Sequence, residues 1–297
     1  MNSIVHPATN PALVVSPGSC WHASLELEFA KTARGCRLTH NRHVGPLYVQ
    51  RPFYPEGIDL AHVYLLHPPG GIVSGDRLQI SVQLNEGTKV LCTTPGAGRL
   101  YRARSDLRLQ EQHNILTLGS GSSLEWLPQE TIVFPGAHAQ LTTRVNLAKD
   151  ASFIGWEITS LGLPVSNIEF TSGSLHQRLE ILLDGLPLLI ENIIVDSRTL
   201  SLYHSACGMR SLPVSGIFVA GPFAAGQSNT FTAEVLHSLA SVVEPALCGI
   251  TKVGNFLVGR YLGKCSEEAR RCFRSYWRAL RPHLLQREAY APNIWTT

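Results

Sequence analysis

Length and composition exclude a good deal: 297 residues are enough to bury a substantial core, in one large all-β domain or two smaller ones, and too many for a disulfide-stapled mini-protein. A formal charge of +3, thinly spread outside an arginine-rich stretch near the C-terminus, argues against a nucleic-acid binder or an enzyme of acidic substrates. Seven cysteines without a CxxC pair, no basic-then-apolar leader and no window near the roughly 18 to 20 apolar residues of a membrane span give the expectation of a soluble, cytoplasmic protein with reduced thiols.

In chain order, residues 1–20 read as a poorly ordered arm and 21–297 as one β-rich domain. Period-two alternation recurs in SLELEFA from Ser24, RLQISVQL from Arg77, LTTRVNLA from Leu141 and HQRLEILL from His176. Turn signals separate such runs at Asn85-Glu86-Gly87, Pro135-Gly136, Lys149-Asp150, Asp184-Gly185 and Gly221-Pro222, so the first 220 residues are expected to be almost entirely β. Helical spacing then appears twice. Val235, Leu236, Leu239, Val242 and Val243 precede Pro245, and a second helix is predicted from a Ser266 cap to Pro282. Glu267 and Glu268 suit its positive end, and Ala269, Cys272, Phe273, Tyr276, Trp277 and Leu280 form its apolar face. Arg270, Arg271, Arg274, Arg278 and Arg281 occupy the other face, read as solvated in preference to a docking surface. No repeat of 20 to 50 residues is visible in the sequence.

Catalytic constellations are missing from the sequence. There is no GxxxxGK[ST], GAGRLY (Gly96 to Tyr101) lacks the third glycine and following helix of a dinucleotide site, and GIVSGD does not have the spacing of GxSxG. His40 and His43, three apart on a strand, point to opposite faces. What stands out is polarity in apolar places: Glu157 in GWEITSLG, Glu191 in LPLLIENIIV and Glu130 in EWLPQETIVF. Either these carboxylates point outward, or they line an internal wet path, where burial demands a partner, water or a cation. The corner HPPGGIVSGD, from His67 to Asp76, adds a histidine, an aspartate and three glycines between two strand-like stretches.

QRPFYPE, YLLHPPGGIVSGD, TTPGAGRLYR, EWLPQETIVFPGA, WEITSLGLP, RYLG, WRALRPHLL and the terminal IWTT, in this order, resemble the urease accessory protein UreD (UreH) family from about Trp21 to the last residue. The resemblance implies a mainly β, two-layer fold of about seventeen strands with two α-helices toward the C-terminal end. It implies no catalysis. Members bind apo-urease, recruit UreF and through it the GTPase UreG, and help nickel reach the urease active site through an internal polar tunnel. No tightly bound cofactor is implied, only Ni²⁺ in transit. Carried over motif by motif, the tunnel and transient metal positions are Asp76, Glu157 and Glu191, with His67 and Glu130 as further candidates. Pro68, Pro69, Gly70, Gly71, Gly75, Pro95, Gly96, Trp126 and Pro128 shape the corners. Arg77, Gly98, Leu163, Ile168 and Asn293 depart from the family pattern, Arg77 by placing a cation beside Asp76. Two other readings stand beside this one: a scaffold that bridges urease and UreF without carrying metal, and a β-sandwich hydrolase using Asp76 and Glu130 as acid and base.

Overall fold

The computed structural model describes residues 20–224 and 247–296. The chain opens with a hairpin, β1 (His22–Thr32) and β2 (Gly35–Val44), and the two-residue β3 (Tyr48–Val49). It then winds between two sheets. A ten-stranded sheet receives β4 (Leu60–Leu66), a seven-stranded sheet β5 (Arg77–Leu84), and the alternation continues through β6 (Lys89–Thr93) with the short β7 (Gly98–Leu100), then β8 (Gln110–Leu118). Next come β9 (Ser123–Leu127) with the short β10 (Thr131–Val133), β11 (His138–Leu147), β12 (Ser152–Leu161) and β13 (Ser174–Leu183).

Within each sheet these strands pair in parallel, β4 to β6 to β9 to β12 on one side and β1 to β5 to β8 to β11 to β13 on the other. Parallel neighbours need a long crossover. Here the crossover of each pair passes through a strand of the opposite sheet, so the centre of the molecule is a two-sided coil. The structural repeat is real although the sequence shows none, because turns of unequal length separate the equivalent strands and only burial recurs. Antiparallel strands finish the structure: β14 (Leu186–Val195) on β13, then β15 (Val214–Gly221), β16 (Leu247–Val253) and β17 (Phe256–Gly263) beside β12.

The expected class holds: mainly β, seventeen strands in two sheets, and two helices among the described residues. One helix, α1 (Leu200–His204), was not anticipated; the other, α2 (Ser266–Leu285), was. The helical reading of 235–243 lies outside the described residues, as does nearly all of the N-terminal arm. The seven-stranded sheet keeps one face in water, which is why β5 alternates between exposed and buried side chains. The ten-stranded sheet is covered twice, by the other sheet and by α2, so β9 is buried at every position and β12 at nearly every one. Two cores result, one between the sheets and one beneath α2.

The helix departs from expectation at both ends and on its charged face. Cys265, not Ser266, precedes the first turn and supplies no side-chain cap; Ser266 instead donates to Glu130 Oε1 at 3.2 Å. Pro282 does not stop the helix, since the Gln286 amide still reaches the Pro282 carbonyl at 3.1 Å and Arg281 ties the last turn to the Glu288 carbonyl. Arg281 itself is wholly buried, where the pattern placed it in solvent. Arg270 is held by Glu130, Gln129 and Glu267, and Arg274 lies over the Trp295 ring at 4.7 Å. Arg271 and Arg278 are exposed as expected.

Candidate functional site

The HPPGGIVSGD corner joins β4 to β5 and is bound tightly to its neighbours. Gly70 and Gly75 have φ of +72° and +83°, and a Cβ at Gly71 would lie 2.2 Å from the Tyr101 ring, so the three glycines are required by turn geometry and close approach. Ile72 forms a bridge with Leu100, and buried Gln110 donates to the carbonyls of Ile72 at 2.7 Å and Tyr101 at 2.8 Å. Asp76 is buried at the end of the corner, where its Oδ1 accepts the Trp21 amide and its Oδ2 the Val73 amide, both at 3.1 Å. It therefore fastens the corner to the start of β1. Arg77, one residue on, turns to the outer face beside Glu111 at 3.9 Å and leaves Asp76 to its amides.

Inside this corner lies a cavity of about 290 Å³ where three of the sequence motifs meet: His67, Gly70 and Ile72 from the first, Thr94 to Leu100 from the second, and Pro128, Gln129 and Thr131 from the third. Pro95 and Gly96 line it, while Pro68 and Pro69 sit on the exposed rim. Burial holds the His67 imidazole below its usual pKa, against the pull of Asp76, which leaves it neutral with a lone pair to offer at neutral pH.

A smaller cavity of about 70 Å³ continues between the sheets, sharing Leu65, Ile80, Thr94, Gln112, Pro128, Gln129 and Thr131 with the first. Trp126 and Glu157 line its far side. Glu157 sits on β12 in the same register as Phe153 and Leu161 of the inter-sheet core, so it faces inward; the outward reading does not hold. Gln177 Nε2 donates to Glu157 Oε2 at 2.8 Å, Thr159 Oγ1 donates to Gln177 Oε1 at 2.7 Å, and Thr143 donates to Glu157. Asn114 Nδ2 donates to Thr143 Oγ1 at 2.9 Å and Gln112 Nε2 to Asn114 Oδ1 at 3.2 Å, which carries the polar chain back to the His67 cavity. Burial pushes the Glu157 carboxyl above the usual range, with Thr143 and Gln177 partly offsetting it. Deep as it lies, the side chain keeps some accessible surface because it borders the cavity. The arrangement is a carboxylate without a cation, met by amides and hydroxyls at the end of a polar row.

The remaining candidates are engaged elsewhere. Glu191 also faces inward, in register with Leu189 and Ile193, but at the sheet edge, where it ion-pairs with Arg260 of β17. Glu130 pairs with Arg270 at 2.8 Å and anchors α2. With Asp76 held by backbone amides and Glu130 by an arginine, the acid–base pairing of these two is not formed. Gln112, Asn114, Thr143, Thr159 and Gln177 were not singled out from the sequence. Among the described residues no three or more His, Cys, Asp or Glu side chains gather as a metal site, and no helix is long and apolar enough to cross a membrane.

A family model described as "UreD urease accessory protein" matches residues 22–296. The urease accessory protein UreD of Marinomonas sp. (strain MWYL1) is 45% identical over 283 residues, covering 94% of this chain and 91% of the relative. UreD of Aliivibrio fischeri (strain MJ11) is 41% identical, covering 94% and 97%, and UreD of Saccharophagus degradans is 37% identical over the full length of both chains. All three carry the name of an accessory protein, not of an enzyme. This chain, with the corner and polar row just described, belongs to the UreD family of urease accessory proteins.

Proposed function

We propose that the chain assists urease maturation by binding apo-urease, recruiting UreF and through it UreG, and giving Ni²⁺ a passage between its two sheets. The observation that carries this reading is the polar row from the His67 cavity to Glu157, built across an otherwise apolar core. A buried carboxylate is costly unless water or a cation compensates it. Neutral amides and hydroxyls around Glu157 leave that role open, and such weak donors suit an ion that must move on. Asp76 keeps the corner in shape; Glu191 and Arg260 stand at the edge, where an ion pair can yield to a competing cation. The outward row Leu186, Leu188, Ile190 and Ile194 on β14, all exposed, offers an apolar face for a protein partner.

The competing view is a scaffold that carries no metal. Co-expression with urease, UreF and UreG separates the two. Glu157→Leu fills the row with apolar bulk and is expected to lower urease nickel content while urease and UreF still co-purify with the variant. Full nickel loading with Glu157→Leu, His67→Leu and the double variant would establish the scaffold reading instead.

A further inference from the structure

Away from the polar row, beneath α2, two cysteines from distant parts of the chain face each other. Cys248 lies on β16, the edge strand of the ten-stranded sheet, and is half-buried; Cys272 lies in the helix and is fully buried. Their sulfurs are 2.6 Å apart, and the Tyr276 hydroxyl is 2.9 Å from Cys248 Sγ. Two thiolates sharing one tetrahedral metal ion sit roughly 3.7 Å apart, given metal–sulfur bonds of about 2.3 Å, so this pair is too close for a shared ion. It is only about 0.5 Å from bonded separation.

We infer that Cys248 and Cys272 form an oxidation site: a peroxide converts the pair to a reversible disulfide that ties the edge strand β16 to α2. The chemistry divides by burial. Cys248 has the solvent access needed to meet the oxidant, and Cys272, shielded behind it, is placed to resolve the product. The Cys272 thiol and the Tyr276 hydroxyl both lie within reach of the Cys248 sulfur, and their contact holds its pKa below the usual thiol value, while that of Cys272 is held above. The Cys248 thiolate attacks one peroxide oxygen and forms a sulfenic acid, releasing hydroxide, which takes up the proton lost by Cys248. The Cys272 sulfur then displaces the sulfenic oxygen, which leaves with the Cys272 proton as water. Each sulfur gives up one electron, and the peroxide ends as two waters. Elsewhere in the core the thiols have no such arrangement: full burial pushes Cys92 up to about 12, and burial also raises Cys36. Thiol pairs in reducing compartments characteristically act as transient sensors, and this one is positioned to act so.

The full-length chain, purified reduced, is treated with graded hydrogen peroxide, alkylated and mapped by mass spectrometry. The expected product is a cross-linked peptide pair containing Cys248 and Cys272, formed before Cys36 or Cys92 reacts and removed by dithiothreitol. Cys272→Ala is expected to stop the reaction at a Cys248 sulfenic acid that dimedone captures, and Cys248→Ala to leave Cys272 unmodified. If Cys20 and Cys207 are consumed while Cys248 and Cys272 keep free thiols, or if Cys272 reacts equally well without Cys248, the inference is overturned.

Discussion

Two buried carboxylates, Glu157 and Glu125, lie on neighbouring strands of one sheet and face opposite cores. Glu125 is saturated: it accepts Arg281 through Nε at 2.8 Å and Nη2 at 3.0 Å, and Trp277 Nε1 at 2.6 Å. The same guanidinium reaches both oxygens of Glu56 at 2.8 Å, and His62 Nε2 approaches Glu56 Oε1 at 2.8 Å. Glu56 is held below the usual carboxylate range because these partners outweigh its burial. Glu157 has no guanidinium and is pushed the other way. Beneath α2, buried charge serves as a structural bolt; between the sheets the carboxyl is met by the neutral donors Gln177 and Thr143. Burial of a glutamate alone therefore says little about function, and the identity of its donors says much.

Removing the bolt should have the largest effect. Arg281→Met strands two carboxylates in the core, and breaking a buried pair in this way costs about 3–5 kcal/mol. Chemical denaturation should show that loss, with part of it restored when Glu125→Gln is added; no recovery would mean that packing, not charge, dominates. Trp277→Ala empties a fully buried site and should cost a similar 3–5 kcal/mol or so through its cavity. An unchanged melting temperature would refute the assignment of that face.

The Glu157 side of the comparison yields a pH signature. Its folded-state pKa is raised, so the folded chain holds the proton more firmly than the unfolded chain does. The resulting stability is present below the unfolded carboxylate value and is lost as pH rises through the folded one. Relative to wild type, Glu157→Gln should gain stability as pH is raised through and beyond the carboxylate range. A difference that does not vary with pH would remove the uncompensated charge from the account. The smallest effect belongs to Arg278→Ala, an exposed position expected to change stability by less than about 0.5 kcal/mol in thermal unfolding.

Alternation and turn residues made the strands legible, and apolar spacing the helix core, because both depend on local periodicity. The coil was not legible, since parallel pairing of β5 with β8 and of β6 with β9 depends on chain crossing between layers and leaves no fixed spacing. Glu157 was visible as a carboxylate amid apolar residues. Its donors were hidden, although Gln177 occupies the inward register shared with Leu175 and Leu179, a position where a polar side chain is itself a signal. Arg281 was misplaced for the opposite reason: helical spacing put it with four other arginines, and its counter-charges lie 156 and 225 residues away in the chain.

That separation also has a consequence in time. Trp295 donates to Thr93 at 2.9 Å across 202 residues and packs tilted against Trp156 and edge-on against Trp277, so the core beneath α2 is sealed by residues made long after its first strands. At about 5–20 residues per second, Glu125 waits on the order of ten seconds on the ribosome before Arg281 is synthesised. Until then one side of the ten-stranded sheet is an apolar surface in which Glu125 has no guanidinium and Glu56 has only His62 beside it. A chain stopped before Arg281 is therefore expected to be defective in folding before it is defective in function, because Glu125 and Glu56 lose the guanidinium they share.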